Sequence, residues 1–189
     1  MNMMNIDTFD YSVFTRKKNI CVDLGCGKGH FLSSYASRFP EKFIIGIDYN
    51  LTAVRAAEEK IINLKIENAT SLTGEFVEFF EKIPENSLSD VFVICPDPWF
   101  KNRHRKRRTV TQDFIEKIAS RLKSGGYFYL VHDFYPYIAE AAKFDFSKFS
   151  NPYHPHLFIH KKENFPYSLY MKKCLDSDGR IQFLIRQKI

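Results

Sequence analysis

The stretch VDLGCGKGHF, Val22 to Phe31, constrains this chain more than any other. An apolar run leads into Gly25, Gly27 and Gly29, and an amphipathic segment follows. Glycines at such a turn let the backbone approach a ligand closely, and the next helix points free amide groups at the same place. The spacing is GxGxG rather than the dinucleotide fingerprint GxGxxG, and an acid, Asp23, precedes it. A second acid, Asp48, ends the next apolar run, where nucleoside-binding α/β folds place a carboxylate on the ribose hydroxyls. A tight turn and a helix-capping acid would explain each feature alone. Their occurrence in register argues for a nucleoside site.

Apolar runs alternate with amphipathic ones, which predicts an α/β fold with a parallel sheet. NICVDL, FIIGID, LKIENA, SDVFVICPDPW and YFYLVHD read as five strands. HFLSSYASRF, LTAVRAAEEKIINL, GEFVEFFEKI and TQDFIEKIASRLKSGG read as helices, the last capped by Thr111 and ended by Gly125. LFIHKK and RIQFLIRQK read as a final antiparallel pair. There is no internal repeat and no low-complexity linker. The 189 residues suit a single domain, with residues 1–18 as a short N-terminal arm.

Several classes are disfavoured. No apolar run approaches the roughly 20 residues of a membrane span. The N-terminal residues carry no apolar block after a basic start, so a secretory leader is not expected. Cys21, Cys26, Cys95 and Cys174 lack CxxC spacing, and read as free thiols in a reducing cytoplasm rather than as disulfides or a metal site.

Charge singles out a second stretch, CPDPWFKNRHRKRR, from Cys95 to Arg108. The net charge is +6, from 28 basic and 22 acidic residues, and Lys101 to Arg108 contributes six basic residues and no acid. Without that run the charges balance, so the whole excess is local. A concentrated basic patch points to a polyanion. It directly follows Asp97 and Trp99, at the carboxyl end of the fourth strand, where open α/β sheets bind ligands.

These motifs resemble a known family. VDLGCGKG, GIDYN and the fourth-strand motif look like a Rossmann-like seven-stranded, S-adenosylmethionine-dependent methyltransferase, with a mostly parallel sheet, helices on both faces and an antiparallel C-terminal strand. PDPW followed by a basic K-x-R-H-x-K-R-R pattern resembles the tRNA (guanine-N7)-methyltransferases, over roughly Asn19 to Asp133. The resemblance implies S-adenosyl-L-methionine as cofactor, tRNA as partner, and methylation of a guanine in the variable loop. It implies that Gly25, Gly27 and Gly29 lie against the cofactor, with Asp48 on the ribose and Asp23 near the methionine ammonium. Asn68 and the following Ala69 would meet the adenine. Asp97 would face the target guanine as the catalytic acid group, with Trp99 packing on the base or bracing the loop. Lys101, Arg103, His104, Lys106, Arg107 and Arg108 match the family's basic pattern, and would meet phosphates. Asp133 and Ser168 would complete the substrate site. No metal or membrane is implied.

The chain departs from the pattern in places. Asp23 and Asn68 stand where relatives usually have Glu and Asp. SLYMKK replaces a Thr-x-x-Glu, keeping a hydroxyl at Ser168 but placing Met171 where the carboxylate belongs. Residues 144–166 have an unusual composition, with NPYHPHLFIH in place of a recognisable family motif. Two other readings remain: methylation of another RNA site, and a non-catalytic S-adenosylmethionine- and RNA-binding domain. The arginines of the basic run can also pair with acids of the next helix, such as Asp113 and Glu116.

Overall fold

The computed structural model describes residues 4–189. In chain order its elements are α1 (Val13–Arg16), β1 (Ile20–Leu24), α2 (His30–Arg38), β2 (Phe43–Asp48), α3 (Leu51–Asn63), β3 (Ala69–Thr73) and α4 (Phe76–Lys82). There follow β4 (Leu88–Ile94), a 3-10 helix (Asn102–Arg107), α5 (Gln112–Arg121), β5 (Leu122–His132), α6 (Tyr135–Ala141), β6 (Phe149–Ser150), α7 (Leu169–Asp176) and β7 (Gln182–Lys188). The strands form one sheet in the order β3-β2-β1-β4-β5-β7-β6. The first five run parallel, while β7 is antiparallel to β5 and to β6. This is the expected Rossmann-like methyltransferase architecture.

Residues alternate across the sheet. Ile20, Val22 and Leu24 face one core, with Phe79, Phe80, Ile118 and Ile138 of α4, α5 and α6. Cys21, Ile44, Phe92 and Val131 face the other, with Phe31, Tyr35, Ile61 and Met171 of α2, α3 and α7. Covered on both faces, β1 is buried along its whole length, which is why it reads as a continuous apolar run. The parallel strands all end on the same edge, and both sequence motifs leave the sheet there.

Three sequence expectations need correction. LKIENA is not a strand: Lys65 turns the chain with φ 52°, and pairing with β2 begins only at Ala69 opposite Ile44. The real strand, ATSLT, is polar, and Ser71 directs its hydroxyl to the Val54 carbonyl. Thr111 does cap α5, accepting from the Phe114 amide, but the helix ends at Arg121 rather than at Gly125. Gly125, with φ 80°, instead lies within β5, where the register to β4 shifts. At the C-terminus, RIQFLIRQK supplies β7, but its main partner is β5; LFIHKK contributes a single bridge, Ile159 to Phe183.

Residues 4–6 lie against the end of β3: the Ile6 amide donates to Thr73, and buried Ile6 fills the space a side chain on Gly74 would need. Residues 1–3 of the expected arm lie outside the described residues. All four cysteines are free, with Cys21 and Cys26 buried. Among the described residues no helix is long and apolar enough to cross a membrane, and no group of three or more His, Cys, Asp or Glu could hold a metal ion.

Candidate active site

A cavity of about 870 Å³ opens at the carboxyl edge of the sheet. Its first wall comes from the glycine turn. Gly25 and Gly27 adopt φ 75° and 53°, in the left-handed region that favours glycine, and both line the cavity. The Gly25 and Cys26 amides donate to the Ile47 carbonyl, 2.8 and 3.1 Å away, tying the turn to the end of β2. Asp48 completes the tie: its Oδ2 accepts from the Gly27 amide at 2.9 Å and its Oδ1 from the Asn50 amide at 2.8 Å. The carboxylate therefore holds the turn and still presents its edge to the cavity. Gly29 plays another part. A Cβ there would lie 2.8 Å from that of Ala57, so this glycine lets α2 pack against α3 and does not line the cavity.

Asp23 sits one step behind the wall, 1% exposed, and its Oδ2 has no hydrogen-bond partner. Burial pushes its pKa up to about 8, with the Asp48 charge adding to the rise. A buried carboxylate without a partner is costly unless a cationic group reaches it. The residues present thus fit a nucleoside carrying an ammonium group, as S-adenosylmethionine does.

Asn68 and Ala69 are not at this site. They lie at the amino end of β3, and Asn68 donates through Nδ2 to the carbonyls of Ala36, Phe39 and Lys42. Tyr49, Glu75, Phe76 and Val77 line the cavity instead. Sequence reasoning missed the last three because it ended β3 four residues early, which put the wrong residues at the carboxyl end of that strand. Tyr49, 68% exposed and next to Asp48, was legible as the residue that follows the second acid.

The second wall is the motif after β4. Cys95 and Trp99 flank Pro96-Asp97-Pro98 with φ 48° and 47°, a left-handed conformation that bulky side chains rarely adopt. Such strain persists only where surrounding contacts impose it. The contacts are visible. The Cys95 amide donates to Val131 at 2.8 Å, and the Pro96 carbonyl meets His132 Nε2 at 2.8 Å, so that nitrogen carries the proton. The Pro98 carbonyl accepts from Arg108 Nε at 2.9 Å. Asp97 is exposed and faces the cavity with Trp99.

The basic run splits into two kinds of residue. Arg108 is 6% exposed, pairs with Glu140 at 2.6 Å and lies over the Tyr137 ring, so it anchors the loop, and it also lines the cavity. Arg105 also reaches Glu140, at 2.8 Å. The acid that pairs the arginines is thus Glu140, not Asp113 or Glu116. Arg107 lies over the Trp99 ring at 5.1 Å, and His104 meets that ring edge-on at 5.8 Å. Lys101, Arg103, Lys106 and Arg107 are exposed and form no ion pair among the described residues.

Of the remaining expected residues, Asp133 lies beside the cavity rather than on its wall. Its Oδ2 accepts from the Tyr170 hydroxyl at 2.8 Å, a bond that leads the rise of the Tyr170 pKa to about 12. Ser168 caps α7, its hydroxyl accepting from the Met171 amide at 3.2 Å, and Met171 is wholly buried in the core. The structure therefore brings Gly25, Gly27, Asp48, Asp97, Trp99, Arg107 and Arg108 around one cavity, and places Gly29, Asn68, Ala69, Asp133 and Ser168 off its wall.

The fold and this site define a Rossmann-like methyltransferase. The chain is similar over its full length, at 15% identity and TM-score 0.66, to a solved antibiotic-related methyltransferase. It is also similar to geranyl diphosphate C-methyltransferase from Streptomyces coelicolor, whose crystal structure contains S-adenosyl-L-homocysteine; there the TM-score is 0.57 at 11% identity, covering 95% of this chain and 75% of the other. Residues 17–161 match a family described as "Putative methyltransferase". A tRNA (guanine-N7)-methyltransferase of Geobacter metallireducens is 33% identical over 180 residues, covering 94% of this chain and 85% of the relative. The chain belongs to the tRNA (guanine-N7)-methyltransferase family, and the methyl donor of that family is S-adenosyl-L-methionine. It spans only 53–56% of three further relatives of that name.

Proposed function

We propose that this protein transfers a methyl group from S-adenosyl-L-methionine to N7 of a guanine in the variable loop of tRNA. The observation that carries the reading is that Asp97 and the Gly25–Gly27 turn line the same cavity, with the free basic groups starting four residues beyond Asp97. Bound at the glycine turn, S-adenosylmethionine supplies an electrophilic methyl on a sulfonium. Asp48 accepts from the ribose hydroxyls and Asp23 balances the ammonium.

Guanine N7 has a free lone pair and no proton, so its attack on the methyl needs no general base. With the donor bound, its carbon–sulfur bond would break as the nitrogen–carbon bond formed, leaving the positive charge on the base. Holding the nucleophile in line is the main catalytic demand. Asp97 meets it by accepting hydrogen bonds from the guanine N1 and N2 edge, and its charge favours the cationic product. Trp99, fixed under Arg107, shapes the floor of the base site. Lys101, Arg103, Lys106 and Arg107 meet the phosphates, whose neutralisation gives salt-dependent, sequence-independent affinity. Asp133, after β5, and Tyr170, on α7, border the base site.

Incubation with methyl-labelled S-adenosylmethionine and unmodified tRNA, followed by nucleoside analysis, tests the proposal. Label in N7-methylguanosine is expected. Label in another nucleoside would move the reaction to a different atom, and unlabelled tRNA would overturn the reading.

A further inference from the structure

A second set of basic groups adjoins the cavity on the other layer of the molecule. Lys60, on α3, directs its ammonium to the Lys28 carbonyl at 3.0 Å and to His30 Nδ1 at 2.9 Å. An ammonium has three N–H donors, so two are committed and one is left for a ligand. Lys60 is therefore a fixed cation rather than a mobile one. His30 serves it as a neutral acceptor: burial lowers the His30 pKa, and the charges of Lys60, Lys28 and Lys173 lower it further. Burial and the Lys28 charge likewise lower the pKa of Lys60. No acid contributes to either shift, and none of the four residues joins an ion pair among the described residues. Cations gathered with no acid between them repel one another, a cost that an anion removes.

The position of this cluster gives it a ligand. Lys28 and His30 directly follow β1 at the carboxyl edge, and the residue before Lys28, Gly27, is on the cavity wall. The carriers α2, α3 and α7 pack on one face of the sheet. The basic run after β4 leads into Val110 and Phe114 on the opposite face. The cavity thus opens between two basic surfaces, and only a long anion crossing the edge of the sheet meets both.

We infer that Lys28, Lys60 and Lys173 form a second phosphate-binding surface for the tRNA backbone, on the opposite side of the cavity from the basic run. The inference rests on the tRNA reading and extends it. The two surfaces hold the strand on either side of the guanine, which fixes the base over the cavity without reading sequence.

The test measures affinity for an unmodified tRNA transcript against salt, with S-adenosylhomocysteine saturating. Lys60→Ala combined with Lys173→Ala flattens the slope of log affinity against log salt by about one to two units, while the melting temperature and S-adenosylhomocysteine affinity stay as in the parent. Lys173→Ala alone serves where the double variant melts early, because its ammonium makes no hydrogen bond among the described residues; it flattens the slope by about half as much. An unchanged slope in these variants, with a flattened one in Arg107→Ala, overturns the inference and leaves the tRNA reading standing. A wild-type affinity that does not respond to salt overturns both.

Discussion

The two halves of the cavity are built in opposite ways. At the end of β1 and β2 the wall is mostly backbone, locked by Asp48, which is itself only 8% exposed. At the end of β4 it is an exposed acid on a strained loop, held from behind by Arg108 and His132. The first half suits a small ligand that is always the same, where fixed donors and acceptors give affinity. The second must admit a base attached to a large polyanion, so its contacts stay open to solvent and its rigidity comes from the layer beneath. The difference teaches where each kind of mutation acts: in the first half on ligand affinity, in the second on rate and RNA binding.

The largest expected effect breaks the second half alone. Asp97→Ala slows methyl transfer to tRNA by about 100-fold, the scale seen when one positioned polar group is lost from a site, and leaves S-adenosylhomocysteine affinity unchanged. Single-turnover kinetics and a binding titration read the two quantities; a full rate in the variant would make the acid structural. The converse variant, Asp48→Ala, weakens S-adenosylhomocysteine about tenfold to a hundredfold, because a charged acceptor contributes about 1.5–3 kcal/mol. Undiminished affinity would remove Asp48 from the ribose role.

Within the basic run the comparison sharpens. Arg108→Ala leaves Glu140 with Arg105 alone, frees the Pro98 carbonyl and destabilises the fold by about 2–3 kcal/mol, lowering Tm by about 5–10 °C. Arg107→Ala leaves Tm within a degree or two and weakens all tRNAs alike. Equal melting of the two variants would contradict the division into anchor and contact. A separate effect is a slope with pH. Asp23 ionises near 3.8 in the unfolded chain and near 8 in the fold. Between those values the native state keeps a proton that the unfolded chain has released, so the stability of the ligand-free protein falls as pH rises from about 4 to about 8. Asp23→Asn flattens that part of the curve of melting temperature against pH; an unaltered curve would remove Asp23 as its source.

Much of this was legible in the sequence, for physical reasons. Strands β1, β2 and β4 are buried on both faces, read as apolar runs, and end in glycines, an acid or prolines, so the residues at their carboxyl ends could be placed at once. Strand β3 could not. It is polar, and the apolar LKI before it belongs to a turn, so Asn68 was put at the wrong end of the sheet and Phe76 was overlooked. Arg108 was hidden differently. Nothing local separates it from Arg107; its partner Glu140 lies 32 residues on, in a helix that only the fold brings near. Ser168 and Met171 could be compared with a family pattern, but their use as a helix cap and a core side chain follows from the packing of α7.

The central claim, one cavity with a small-ligand half and a polyanion half, is tested most directly by measuring how salt affects binding of each ligand to the same protein. S-adenosylhomocysteine carries little net charge, and its affinity is expected to stay nearly flat. Four free basic groups after β4 predict that log tRNA affinity falls against log salt with a slope of about −3 or steeper. Affinities that respond equally to salt, or a tRNA affinity that does not respond, would contradict the account.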